Sequence, residues 1–187
     1  MHPLVQRQSE VKDAIYYTDD GVLHSVYPAE TMFGYFYFSH LIPPFKPENV
    51  LILGYGFGTV AELIRRVWGA DVAITGVDQL AVDARYLEYK LLTQDAYDYV
   101  RECTDGVIKK RYDYVVIDLF NGKLVPEFVF EVDFAKRIRE MTKRLLAINV
   151  LESDIPSLKP YYDHGFQFDK VDPVEGNRVV FWSPKPE

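Results

Sequence analysis

The sequence has a single cysteine, Cys103, among 187 residues. One thiol closes no internal disulfide, so the fold cannot rest on cross-links, and such usage fits a reducing cytoplasm. Long apolar runs are also missing. None approaches the roughly 20 residues that cross a bilayer, and Met1-His2-Pro3-Leu4-Val5-Gln6-Arg7 lacks the apolar stretch of a signal peptide. The expectation is a cytoplasmic chain with no membrane partner. Basic residues are in the minority, 21 Lys and Arg against 28 Asp and Glu, for a net charge of −7. Binding nucleic acid needs a basic face to neutralise phosphates, so the balance argues against it. His24, His40 and His164 have no metal-ligand spacing to one another or to Cys103, and no metal is expected. No Gly-x-Ser-x-Gly elbow, Walker loop, Cys-x-x-Cys pair, internal repeat or low-complexity segment is present.

What is present is globular. Apolar residues make up 48% and charged residues 26%, enough for a core. The length suits one domain with a small appendage. Ala14–Thr18 and Val22–Tyr27 flank Asp19-Asp20-Gly21, which predicts a β-hairpin. The stretch 31–42 is aromatic-rich and apolar nearly all round. It predicts a helix that is either buried or placed at a subunit interface. Pro43, Pro44 and Pro47 end it. The expected division is therefore an appendage at 1–46 and a main α/β domain at 47–187.

From residue 49 the pattern alternates between short apolar runs and helical spacing. Strands are predicted at 50–53, 72–77, 89–93, 114–117 and 145–150. Helices are predicted at 59–68, around 81–88, from Asp95, and from Pro126 to about Arg144. Such alternation gives a parallel sheet with helices on both faces, a three-layer α/β/α Rossmann-like fold. Residues 166–171 and 178–182 flank Asp172–Asn177 and predict a hairpin that adds one antiparallel strand.

Chemistry concentrates at the strand ends. Gly54-Tyr55-Gly56-Phe57-Gly58 follows the first strand, where a sharp turn into a helix needs glycine. Its third glycine comes two residues after the second. A dinucleotide fingerprint spaces them by three, and Thr59 holds that place here. Asp78 ends the second strand about 20 residues after the turn. It either accepts both ribose hydroxyls of a nucleoside or caps the next helix. Asp95 ends the third strand, where it either meets an adenine amino group or caps the helix it opens. Asp118 ends the fourth strand as a general base, a contact to a cationic substrate or an ordinary turn residue. All four positions fall at the carboxy-terminal ends of one sheet, the usual ligand crevice. Cys103 reads as a buried apolar residue.

These motifs, with Gln94-Asp95-Ala96-Tyr97-Asp98-Tyr99 and Tyr112-Asp113-Tyr114-Val115-Val116-Ile117-Asp118, resemble the spermidine synthase family, the polyamine aminopropyltransferases. The likeness covers roughly residues 14–150, and its nucleoside-binding part is shared with class I S-adenosylmethionine-dependent methyltransferases. It implies binding of S-adenosylmethionine or its decarboxylated form by Gly54, Gly56, Gly58, Asp78 and Asp95. It also implies a small-molecule acceptor and a homodimer or higher homo-oligomer. The family's substrate-reading acids are replaced. The turn's Asp is Phe57, the last Asp of the motif after the fourth strand is Asn121, and the amino-terminal signature falls on Gly34-Tyr35-Phe36. Asn121 cannot act as a general base, which leaves Asp118 for that role if the chain is an aminopropyltransferase. Losing the Asp at 57 also removes a group that would repel the carboxylate of ordinary S-adenosylmethionine. A methyltransferase and a non-catalytic, nucleoside-binding or dimerising relative are the alternatives.

Overall fold

The computed structural model describes residues 15–19, 22–27, 37–79, 90–106, 109–174 and 176–186. A hairpin of β1 (Ile15–Asp19) and β2 (Val22–Tyr27) forms a two-stranded sheet. A 3-10 turn at Tyr37–Leu41 leads into the main domain. There follow β3 (Asn49–Leu53), α1 (Thr59–Trp68), β4 (Ala73–Asp78), β5 (Lys90–Thr93), α2 (Ala96–Asp105) and β6 (Tyr112–Ile117). The chain continues through α3 (Val132–Met141), β7 (Thr142–Val150), α4 (Lys159–Asp163), β8 (Phe166–Val174) and β9 (Asn177–Pro184). The aromatic stretch up to Phe36, with the Gly34-Tyr35-Phe36 signature, and the helix expected around 81–88 lie outside the described residues.

The main sheet has seven strands in the order β5-β4-β3-β6-β7-β9-β8. The first five are parallel. β9 runs antiparallel to β7, and β8 antiparallel to β9, so β9 alone opposes the common direction. This is the single reversed strand expected from the carboxy-terminal hairpin. β6 is buried throughout and β3 from Val50 onward, as central parallel strands covered on both faces must be.

Two apolar cores sandwich the sheet. On one face α1 lays Val60, Ala61, Leu63 and Ile64 against Val50, Ile52, Tyr114 and Val116. On the other, α2, α3 and α4 lay Tyr99, Val100, Cys103, Phe134, Ile138 and Tyr161 against Leu51, Leu53, Val115 and Ile117. The 3-10 turn joins the first core. Phe38 and Leu41 are buried, and the buried Tyr114 hydroxyl donates to the Leu41 carbonyl at 2.8 Å. Among the described residues no helix is long and apolar enough to cross a membrane.

The helix expected from Pro126 to Arg144 is shorter and broken. Pro126 precedes a 3-10 turn at Glu127–Phe130, Glu131 is extended, and α3 stops at Met141. β7 then starts at Thr142, three residues before the apolar run. Tertiary contacts pull that segment into the sheet. Thr142 pairs with Tyr112, Lys143 reaches Asp113 at 3.2 Å, and the Arg144 guanidinium lies 3.6 Å over the Phe45 ring.

Candidate functional site

The sheet order changes direction between β3 and β6, and ligands of open α/β sheets bind at such a switch point. Here the ends of the two strands touch. The Asp118 amide donates to Leu53 at 2.8 Å, and Gly54 passes so close to Asp118 that a Cβ would stand 2.0 Å from its carbonyl oxygen. Gly54 has φ +89°, a second reason for glycine. The turn is tied to β4 as well. The Gly54 and Tyr55 amides both donate to Val77, at 2.9 and 3.3 Å. The Tyr55 ring covers Gly76, where a Cβ would meet it at 2.0 Å.

Asp78 stands at the end of β4 with its Oδ2 accepting from the Gly56 amide at 2.7 Å. It thus joins the glycine turn to the neighbouring strand end. The hairpin reaches the same turn from the other side. The buried Ser25 hydroxyl accepts from the Phe57 amide at 2.9 Å and shares a hydrogen bond with Thr59, also at 2.9 Å. A Cβ on Gly56 would meet Ser25 at 2.8 Å. Phe57 itself is 6% exposed.

Asp95 caps α2. Its Oδ1 accepts from the Tyr97 and Asp98 amides at 2.8 and 3.1 Å, and its Oδ2 accepts from Gln79 at 2.6 Å. The capping alternative is thus realised in this geometry. Asn121 lies in an exposed turn with Gly122 at φ +60°. Its amide and carbonyl pair with those of Leu124 at 2.8 and 3.2 Å. Leu119 and Phe120, between Asp118 and Asn121, pack on the core beneath α2 and α3, which accounts for their apolar character.

Asp118 is the chemically distinctive group. Burial pushes its carboxyl up to about 7, and the nearby Asp78 charge adds to this. Hydrogen bonds donated by the Asn149 amide at 2.9 Å and the Tyr37 hydroxyl at 3.3 Å oppose the rise. The Tyr37 phenol is held well above its ordinary value by burial and by Asp118. A carboxyl poised near neutrality can accept and return a proton under ordinary conditions.

The ends of β3, β4 and β6 bring Gly54, Gly56, Asp78 and Asp118 together, while Gly58 opens α1 at φ +84°, Asp95 caps the adjoining helix and Asn121 lies on an exposed turn. Ser25, Gly76, Tyr37 and Asn149 escaped the sequence reading. Gly76 carried a usable signal, since a glycine inside a strand marks a close approach. Asn149 carried a weaker one, as the only polar side chain in an otherwise apolar six-residue run.

The fold is a Rossmann-like α/β/α sandwich of the kind seen in solved spermidine synthases and methyltransferases. No family model matches the chain. A polyamine aminopropyltransferase of Vibrio vulnificus is 28% identical over 155 residues, 72% of this chain and 50% of that protein. The chain thus spans about half the length of the curated relative it matches. Spermidine synthase from Thermotoga maritima superposes with a TM-score of 0.63 at 15% identity, over 92% of this chain and 66% of that one. A putative methyltransferase solved in complex with SAH gives 0.64 at 13% identity, over 96% and 58%.

Proposed function

We propose that the crevice binds an S-adenosylmethionine-type nucleoside and transfers a group from its sulfonium to a small acceptor held near Asp118. The observation that carries this reading is Asp78, joined to the Gly56 amide at the strand end beside the switch point. The glycine turn would lie beneath the ligand, Asp78 would take the ribose hydroxyls, and Asp95 with Gln79 would flank the adenine. In the transfer the Asp118 carboxylate takes the proton of the acceptor group. The acceptor's electron pair forms the new bond to carbon, and the carbon–sulfur pair returns to sulfur as a neutral thioether. The proton then leaves Asp118 for solvent.

Phe57 favours ordinary S-adenosylmethionine, and so methyl transfer, over the decarboxylated donor. An apolar ring does not repel the methionine carboxylate. Titration calorimetry and thermal shift with S-adenosylmethionine, decarboxylated S-adenosylmethionine and methylthioadenosine test both statements. Binding of the ordinary donor is expected, since any ligand of the folded state raises the melting temperature. Silence with all three compounds overturns the nucleoside reading. A preference for the decarboxylated donor, with product from putrescine, restores aminopropyl transfer. Asp78→Asn keeps an acceptor for the Gly56 amide but removes charge from the ribose site, so a binding loss of about tenfold or more is expected from a charged-group hydrogen bond. Single-cysteine usage supports a cytoplasmic location. Phe38 belongs to the core, so the homodimer reading rests on the aromatic sequence Phe33-Gly34-Tyr35-Phe36, and a monomer by light scattering overturns that part.

A further inference from the structure

We propose that Asn149 is a positioning residue for Asp118, fixing the carboxyl's orientation and following its charge by reversing the side-chain amide. The proposal rests on the reading of Asp118 as the proton acceptor of the site. Asn149 lies in β7 with no solvent exposure, in a run where every neighbour from Leu145 to Val150 is apolar and buried. Its Nδ2 donates to Asp118 Oδ1 at 2.9 Å. Its own Oδ1 is buried and has no hydrogen-bond partner among the described residues. Buried polar atoms are ordinarily satisfied, so a half-used carboxamide against a titrating carboxyl needs an explanation.

The two halves of the amide match the two states of Asp118. A charged carboxylate only accepts, and Nδ2 serves it. A protonated carboxyl donates, and Oδ1 would serve it after a half-turn about the last side-chain bond, because the two ends of a carboxamide are nearly the same shape. The far end of the amide has no partner among the described residues, so no hydrogen bond from them opposes the reversal. Tyr37 meets the other carboxyl oxygen, Oδ2, and keeps the group from rotating meanwhile. Among the described residues, the titratable groups that face Asp118 are Tyr37 from the 3-10 turn and Asp78 from the end of β4. Tyr37 stays protonated through the neutral range, and Asp78 is the neighbouring charge. Asn149 itself is neutral and answers the proton by geometry alone.

The test is a pH titration of the full chain by NMR, with the Asp118 carboxyl carbon and the Asn149 side-chain amide resolved. The expected result is a shared midpoint, with the Asn149 signals shifting as Asp118 takes its proton. An Asn149 amide indifferent to pH across the Asp118 titration overturns the proposal. Asn149→Leu, similar in volume, should raise the Asp118 midpoint by about one unit, tenfold in proton affinity. An unchanged midpoint in a folded variant also overturns it. Should that variant not fold, the wild-type titration decides alone. Nucleoside binding is read separately by calorimetry on the same chain. Co-titration without nucleoside binding overturns the proposed function and supports the Asn149–Asp118 pair; nucleoside binding without co-titration does the reverse.

Discussion

At the residue scale, Gly54 is the position with least freedom. A side chain there faces the Asp118 carbonyl at 2.0 Å and a φ of +89° at once. Gly176 offers the comparison, with φ +80° and nothing within 4 Å of a Cβ. Gly176→Ala should therefore cost only the left-handed penalty, about 1–2 kcal/mol. Gly54→Ala should cost about 3 kcal/mol or more, because backbone must shift as well. Urea denaturation of the two variants checks this, and equal losses would mean that the close approach at Gly54 relaxes at no cost.

Asp118 gives a prediction with a sign. Its folded value, about 7, lies above the ordinary 3.8. Below about pH 4 the group is protonated folded and unfolded, and contributes nothing. Between 4 and 7 the folded chain holds more protons than the unfolded one, so stability falls as pH rises, and above 7 the whole cost is present. The shift corresponds to about 4 kcal/mol, reduced to about 2–4 by the residue's remaining contact with solvent. Asp118→Asn should accordingly stabilise the chain by that amount at pH 8 and leave it nearly unchanged at pH 4. The same difference at both pH values would show that burial does not perturb this carboxyl.

At the element scale, the start of α2 was readable because its cap is local. An Asp before a helical pattern satisfies two orphan amides whatever lies elsewhere. Asp95→Ala should cost about 1 kcal/mol, and Asp95→Asn much less, since asparagine also caps. If the capping role is its whole role, nucleoside affinity in Asp95→Asn stays at the wild-type value; a tenfold loss measured by calorimetry would place the carboxylate on the ligand. The end of α3 was not readable for the converse reason. Lys143 and Arg144 are good helix formers, and only the segment's partners Tyr112, Asp113 and Phe45, 30 or more residues away, make it strand. Ser25 was hidden in the same way. A serine in a hairpin reads as surface, and its place in the glycine turn exists only once β2 has docked on Phe57 and Thr59. Local chemistry reveals where elements begin, and packing decides which of their side chains meet.

At the scale of the whole molecule, the proposed ligand site and the free edge of the sheet lie apart. The glycine turn, Asp78 and Asp118 stand at the ends of β3, β4 and β6, in the middle of the strand order. β8 forms the far edge and exposes Gln167, Phe168, Asp169 and Lys170, with Pro173 near its end. Charge and proline on an edge strand discourage pairing with another chain. Ligand binding should therefore be felt unequally. At 100 times its dissociation constant a nucleoside stabilises the fold by about 2.7 kcal/mol, which slows exchange of every amide that opens only by global unfolding. Amides of the turn 54–58 and of 118–121 open by smaller local motions. They should slow by more than the opening of the β8–β9 edge does, because the ligand bridges the strand ends they belong to. Hydrogen exchange with and without S-adenosylmethionine measures both sets in one experiment. Protection that grows at 166–174 and not at 54–58 would move the ligand away from the switch point, and with it the role given to Asp78.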